Sequence, residues 1–407
     1  MGLLYVTSFL DRVNVGFAYA QTSMSRDVSL NDITYGFGAG IFFIGYFIFE
    51  VPSNVILERV GARLWIFRIM LTWGLVSMAT AFVHERYGFY ALRFLLGAAE
   101  AGFFPGMVLY LTYWFPQRRR ARYIAQFLAA VPLASAIGGP LSSYILTIDG
   151  LDALRGWQWL FLLEGLPSCL LAFAVLILLP SKPEHARWLS ESEKQTIATA
   201  LAHDAPPRRN LWAGLRDRRV WLLSIADFGI VTGLYGIGLW IPQMVKAMGF
   251  SSFETGFVVS VPYVASMLGM IAWGYSSDRF HERTWHVAVA AFLAAGGLTV
   301  AALSHGPVES VLALSVAALG IYSALSTFWA LPPSFLGGTA AAGGIALINS
   351  IGNLGGFAGP YFVGWIKSAT GTYSLALLII GAGLAVSGLI ALALRSAVAH
   401  ERPPAAA

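Results

Sequence analysis

A single cysteine, Cys169, in 407 residues leaves no partner for an intramolecular disulfide and no multi-cysteine metal site, and the residue reads as a small packed side chain. Charge is scarce as well. Asp, Glu, Lys and Arg make up only 12% of the chain, about half of what a soluble protein carries, while 57% of residues are hydrophobic. That balance excludes a soluble globular fold. The seven histidines all fall in loops, at helix ends or in the tail, which argues against a buried histidine relay for protons. No nucleophile–base pair, metal-ligand spacing or cofactor motif stands out, so nothing supports an enzyme, a resident metal or a cofactor. The glycine clusters GFGAG (36–40) and GNLGGFAG (352–359) adjoin no strand and read as close-packing, rocking surfaces rather than phosphate loops. The first apolar segment lacks a basic leading region and a small-residue cleavage site, so no cleavable signal peptide is expected.

What is abundant is long apolar runs. A spanning helix needs about 20 such residues. Twelve candidates lie at 4–22, 35–57, 66–83, 88–110, 122–146, 158–179, 220–246, 256–276, 285–304, 310–331, 340–366 and 372–395. The reading is an all-α polytopic membrane protein. A polar stretch holding SKPEHARWLSESEKQ and HDAPPRRN interrupts the series after six spans. The organisation is then an N-terminal bundle (1–180), a linker with a short surface helix (181–218), a C-terminal bundle (219–397) and a tail (398–407). Fourteen per cent aromatic residues suits interfacial belts and large packed helices.

Basic residues fix the expected orientation. With both termini cytoplasmic, nineteen of the 26 Lys and Arg fall in cytoplasmic loops and the tail, five fall on the opposite side, and Arg12 and Arg93 lie inside spans. The net charge of +5 is thus a matter of topology, and no nucleic-acid partner is implied. The expected location is the cell (inner) membrane, as a monomer in lipid.

The halves repeat. ERVGAR (58–63) and DRFHER (278–283) share an acid, an adjacent Arg and a second Arg four residues on, at an offset of 220; GGP (138–140) and AGP (358–360) keep the same offset. Two six-helix halves in the same orientation, related by an axis along the membrane normal, account for both matches.

This plan resembles the major facilitator superfamily. Its loop signature Gly-x-x-x-Asp-Arg-x-Gly-Arg-Arg is kept in the second copy as Gly274, Asp278, Arg279 and Arg283. In the first copy it is altered, with Asn54 for the leading Gly and Glu58 for the Asp, before Arg59, Gly61 and Arg63. Glu58, Arg59, Arg63, Asp278, Arg279 and Arg283 are therefore candidate gating residues, able to latch one conformation through ion pairs and helix-end charge; the plain alternative is positive-inside charge. Four segments, LDRVNVGFA, GIFFIGYFIFEVPSNVILERVGAR, RFLLGAAEAGFFPGMVLYLTYWFP and INSIGNLGGFAGPYFVGWIK, resemble the anion:cation symporter family, whose members include phthalate, tartrate, hydroxyphenylacetate and sugar-acid permeases. Ten residues precede Asp11, fewer than members usually have, which leaves a misassigned start or a first helix trimmed on its cytoplasmic side as the expectation.

A charge near the bilayer centre costs roughly 2.5–3.5 kcal/mol on insertion scales, so intramembrane ionisable groups need a reason. Those well inside spans are Asp11, Arg12, Glu50, Arg93, Glu100 and Asp227, with Glu164 nearer an end. Arg93 and Glu100, seven residues apart, share one helix face about 10.5 Å apart along the axis, too far to pair directly. Asp11 and Arg12 are about 100° apart around their helix, so each seeks a different partner. A cavity flanked by the first and fourth spans can use Arg12 and Arg93 to hold an anion while Glu100 and Asp11 carry the proton. Burial penalises a charged carboxylate, which suits reversible protonation. A deprotonated Glu repels the anion and a protonated one does not, which is symport expressed as a coupling free energy.

The family resemblance implies the same division: acids Asp11 and Glu100 for proton coupling, Arg12 and Arg93 for substrate, with Tyr46, Ser326, Trp329 and Asn349 toward the cavity. Asp227 stands where some relatives carry Gln, as a substrate contact, a second proton site or an arginine's partner. Against these stand plainer readings: a structural Arg12–acid pair, packing roles for Tyr46 and Trp329, interhelical hydrogen bonding by Asn349, and structural or interfacial Glu50 and Glu164. The expectation is a proton-coupled importer of a small organic anion, aromatic or hydroxy/sugar carboxylate, with a proton-coupled drug or metabolite exporter of the same fold as the rival.

Overall fold

The computed structural model describes residues 1–20, 22–116, 123, 127–202, 216–332 and 338–401. The expected linker stretch HDAPPRRN lies outside them. The α-helices are α1 (Gly2–Ala20), α2 (Thr22–Asp27), α3 (Asp32–Val60), α4 (Ala62–Ala79), α5 (Arg86–Glu100), α6 (Phe103–Trp114), α7 (Ala130–Ile145), α8 (Gly156–Leu178), α9 (Glu191–Ala202), α10 (Arg218–Gly238), α11 (Ile241–Ala247), α12 (Ser252–Phe280), α13 (Thr284–Leu303), α14 (Pro307–Phe328), α15 (Gly338–Thr370) and α16 (Ser374–Glu401). Nine stretches among the described residues are long and apolar enough to cross a membrane. α1, α7 and α15 complete twelve. α1 is less apolar because Asp11, Arg12 and Asn14 dilute it. Leu170, Ile177, Leu268 and Leu389 are exposed on outer faces, where a soluble bundle would be polar and a bilayer would cover them.

Two spans are broken where the sequence pattern reads continuous. α5 ends at Glu100 and α6 starts after Gly102, whose φ of +83° is left-handed and whose missing Cβ leaves room for the Ser53 hydroxyl. α10 and α11 are separated at Leu239 and Trp240. The linker helix is present as α9, and it follows a segment docked on the N-terminal bundle by stacking of Trp188 on Trp114, centroids 5.8 Å apart.

The repeat extends to helix starts. Asn31 and Ser251, 220 residues apart, each cap a 29-residue helix through a reciprocal capping box, with Thr34 and Glu254 as the returning side chains. Helices two and five of one half pack on five and two of the other: α3 on α15, and α7 on α12. Glycines let the backbones meet, as intramembrane packing favours. A Cβ at Gly36 would stand 2.5 Å from the Pro360 carbonyl oxygen, and one at Gly40 2.7 Å from that of Phe357. The glycine clusters read as close-packing surfaces are therefore at the seam.

The chain's start and the linker share one face of the bundle, the linker face. At the opposite, far face the halves are sealed. Gly139 lies against Gly256, the Tyr35 hydroxyl donates to the Leu239 carbonyl at 2.7 Å, Gln243 donates to the Gly16 carbonyl at 3.0 Å, and Lys367 stands 3.9 Å from Asp32. A Cβ at Gly256 would collide with the Gly139 carbonyl oxygen. Gly256→Val is expected to wedge this end apart, and spin-label distances across the far face should lengthen. An unchanged distance distribution would mean the seam is not close-packed there.

Candidate functional site

Arg12 is at the centre. Its Nη2 pairs with Glu100, its Nη1 donates to the Tyr235 hydroxyl at 2.7 Å, and its guanidinium carbon lies 5.1 Å from the Phe42 ring centre, 5.6 Å from Tyr46, and 5.9 Å from both Phe9 and Tyr235. Cation–π contact in a dry site stabilises such a group. Ser8, one turn before Arg12 on the same face of α1, donates to the same Glu100 oxygen at 2.5 Å. The site thus joins α1, α3 and α5 of the first half to α10 of the second. The plain reading of Arg12 as paired with a fourth-span acid is what the geometry contains.

Arg93 is only 1% exposed, yet it pairs with no carboxylate among the described residues. Its Nη2 donates to the Arg12 carbonyl at 3.2 Å and to that of Ala39 at 3.4 Å, while Nε and Nη1 make no hydrogen bond to described groups. The second Glu100 oxygen is likewise unmatched. A buried guanidinium keeps its charge and is costly unless compensated.

Asp11 turns away from this cluster. Its carboxylate accepts from Ser77 at 2.7 Å, Ser168 at 2.7 Å and the Trp73 indole N–H at 3.1 Å, which ties α1 to α4 and α8. As the helix geometry implies, Asp11 and Arg12 have separate partners. Sequence reasoning misses Trp73 and Ser77 as these donors; their four-residue spacing, which puts both on one helix face, is the signal that points to them.

The remaining expected cavity residues separate. Tyr46 belongs to the Arg12 cage. Ser326 donates to its own helix, at the Ser323 carbonyl, and Trp329 packs edge-on against Phe328; neither makes a described contact with the arginines. Asp227 lies against Gly352, where a Cβ would collide with its Oδ2, and it pairs with no arginine among the described residues. Asn349 donates to Glu50 at 2.7 Å, and Asn353, one turn on, donates at 3.3 Å. Glu50, read as structural or interfacial, is 7% exposed and bridges the two halves on the linker-face part of the seam. Glu164, read as nearer an end and as structural or interfacial, is 3% exposed, two turns inside α8, which α1, α4 and α7 pack against.

The candidate gate closes within one half. Arg283 pairs with Asp278 at 2.5 Å and donates to Ser277 at 2.8 Å. Beside it Glu282 is partly buried, which opposes its charge, but the Thr284 hydroxyl and the Trp285 and His286 N–H groups hold its carboxyl below the usual range. Arg59, Arg63 and Arg279 are exposed at the same face, and Glu58 is exposed at the end of α3.

Known proteins share both the sequence and the shape. The profile described as Major Facilitator Superfamily matches residues 1–360. A protein of Agrobacterium vitis named "Putative tartrate transporter" is 47% identical over 396 residues, 96% of this chain and 88% of the relative. A "Quinolone resistance transporter" of Acinetobacter baumannii is 42% identical over 92% of this chain and 87% of the relative. The crystal structure of a bacterial homolog to the human lysosomal transporter Spinster, inward-facing and occupied, superposes with a TM-score of 0.81 at 16% identity, covering 100% of this chain and 97% of that one. The chain is a multi-pass membrane transporter of the Major Facilitator Superfamily, not an enzyme.

Proposed function

We propose that this transporter imports a small organic anion, an aromatic or hydroxy/sugar carboxylate, together with a proton, by alternating access. The observation that carries the reading is Arg93: a buried cation with two donor nitrogens unmatched among the described residues, beside the Arg12–Glu100 pair. A carboxylate satisfies those donors. A fork of guanidinium donors suits a carboxylate in both charge and shape. Glu100 is the coupling acid. When it is deprotonated it occupies Arg12; when it is protonated it frees Arg12 for the substrate. Asp11, held by three neutral donors, supplies a fixed counter-charge, and the proton is the only coupling ion invoked. The excess of Lys and Arg in the linker-face loops supports a cytoplasmic linker face in a cell (inner) membrane, and in that orientation the sealed far face reads as an inward-facing conformation. The Asp278–Arg283 pair and its counterparts Glu58, Arg59, Arg63 and Arg279 act as the cytoplasmic latch. Support for a hydroxy-acid cargo comes from the Agrobacterium relative's printed name.

Export of a drug by proton antiport is the second reading, favoured by the name of the Acinetobacter relative. Quinolones also carry a carboxylate, so the same arginines suit either cargo. The experiment is uptake into proteoliposomes. An inward proton gradient is expected to drive accumulation of tartrate or another carboxylate. Robust uptake that ignores the gradient sinks symport, and gradient-driven depletion of a quinolone favours the antiporter.

Two substitutions divide the roles. Arg93→Ala removes a charge-assisted contact worth about 1.5–3 kcal/mol, so the Kd for the carboxylate, read by calorimetry, should rise roughly ten- to a hundred-fold. Arg93→Lys should not restore it fully, since an ammonium lacks the fork. Glu100→Gln should abolish gradient-driven accumulation while counterflow exchange persists; accumulation at the wild-type level would remove Glu100 from coupling.

A further inference from the structure

Among the described residues of the first half, two buried acids have no role in the mechanism above, and of these Glu50 sits at the seam with Asn349 and Asn353 while Glu164 lies deeper. Its Oε1 accepts from Ser142 at 2.6 Å, and its Oε2 makes no hydrogen bond to a described group. The Asn14 amide lies beside it, 1% exposed, near enough to favour the carboxylate but with no well-formed hydrogen bond from its oxygen or nitrogen to a described group. Asn14 and Ser142 also line a small cavity, together with Ser135, Gly138, Gly238 and Tyr263. That cavity lies between the halves, walled by α1 and α7 on one side and by α10 and α12 on the other. Gly139 against Gly256 and Gly16 against Leu239 close it toward the far face.

The charges around Glu164 are few. From α1 the ionisable neighbour is Asp11, whose field reaches it. α4 brings Arg63, exposed at the linker face, and Arg68, which turns to the Ala99 carbonyl. α7 presents Ser142, and across the cavity α12 presents the Tyr263 phenol. No cation pairs with either carboxyl among the described residues. Two carboxylates in one low-dielectric region repel, so one of them takes a proton. Asp11 accepts three well-formed hydrogen bonds, whereas Glu164 accepts one from Ser142 and only a weaker contact from the Asn14 amide, which assigns the proton to Glu164.

We propose that Glu164 is a proton-binding site of the transport cycle, loaded from the far side through the Asn14–Ser142 cavity when the halves part at that end. The proton comes from water and adds to a carboxylate oxygen; no other reactant is needed. A single oxygen suffices for a proton, whereas a bare metal cation needs a fuller oxygen shell than Asn14, Ser142 and Glu164 supply. The proposal deepens the symport reading and rests on it for its role in the cycle, but proton binding itself is measurable without substrate.

The test is an infrared pH titration of the full chain in lipid nanodiscs. A protonated-carboxyl band that titrates in the wild type is expected to be lost in Glu164→Gln. Ser142→Ala, which removes only a donor, is expected to shift that band's midpoint and serves if the glutamine variant does not fold. Gly256→Val, outside the site, is expected to speed deuterium exchange of the band. An identical titration in the wild type and Glu164→Gln, an unmoved midpoint in Ser142→Ala, or a band that answers to sodium instead of pH overturns the site. Equal exchange rates in Gly256→Val overturn the entry route. Proton binding at Glu164 in a chain that moves no proton with its anion would overturn symport alone.

Discussion

Everything at the centre depends on Arg12 being held between an acid and four rings. The guanidinium meets Glu100, Tyr235, Phe9, Phe42 and Tyr46, and so links the first half to the second inside the membrane. Breaking a buried ion pair by removing one partner costs about 3–5 kcal/mol. The Arg12–Glu100 pair therefore opens only when something replaces one partner. A proton on Glu100 and an anion on Arg12 are the replacements chemistry offers. In the proposed cycle Arg93, next to the Arg12 backbone and with donors unmatched among the described residues, would favour the anion's arrival before the pair opens.

In the proposed cycle the seam would translate that local exchange into motion. Its two contacts, α3 with α15 and α7 with α12, are copies of one another under the repeat, and both rely on glycine. Side chains too small to interlock allow one bundle to roll on the other. Glu50 with Asn349 and Asn353 adds a polar clasp on the α3–α15 side. Amides hydrogen-bond a carboxylate without neutralising it, so this clasp is directional but weaker than an ion pair, as a contact that opens and re-forms in the proposed cycle would need.

Much of this arrangement is legible in the amino-acid sequence. Apolar length and loop charge point to twelve spans, the 220-residue offset to two halves, and seven-residue spacing to Arg93 and Glu100 on one wall. Helix angles also separate Asp11 from Arg12. What is not legible is which side of a helix meets which neighbour. Pairing across the halves, such as Tyr235 to Arg12 or Asn349 to Glu50, depends on packing between segments over 200 residues apart. The breaks at Gly102 and at Leu239–Trp240 are hidden because the flanking residues stay apolar, and hydropathy does not register a left-handed glycine. Glu164 reads as near an end because apolar length does not show which neighbours cover a helix, and α1, α4 and α7 pack against α8.

Charge counting shows why the proposed coupling would be tight. With Asp11 and Glu100 ionised, Glu164 carrying its proposed proton, and Arg12 and Arg93 charged, the empty site is neutral. Adding only an anion of single charge leaves one negative charge in low dielectric, and adding only a proton leaves one positive charge. Adding both restores neutrality. Passage of the bundles through an occluded state requires burying whatever charge the site holds, and an isolated charge in such a medium is costly. The empty and fully loaded carriers can therefore cross, while either half-loaded carrier is held back. On this view Asp11 need not titrate to matter: its three neutral donors keep it as the constant against which Glu100 switches.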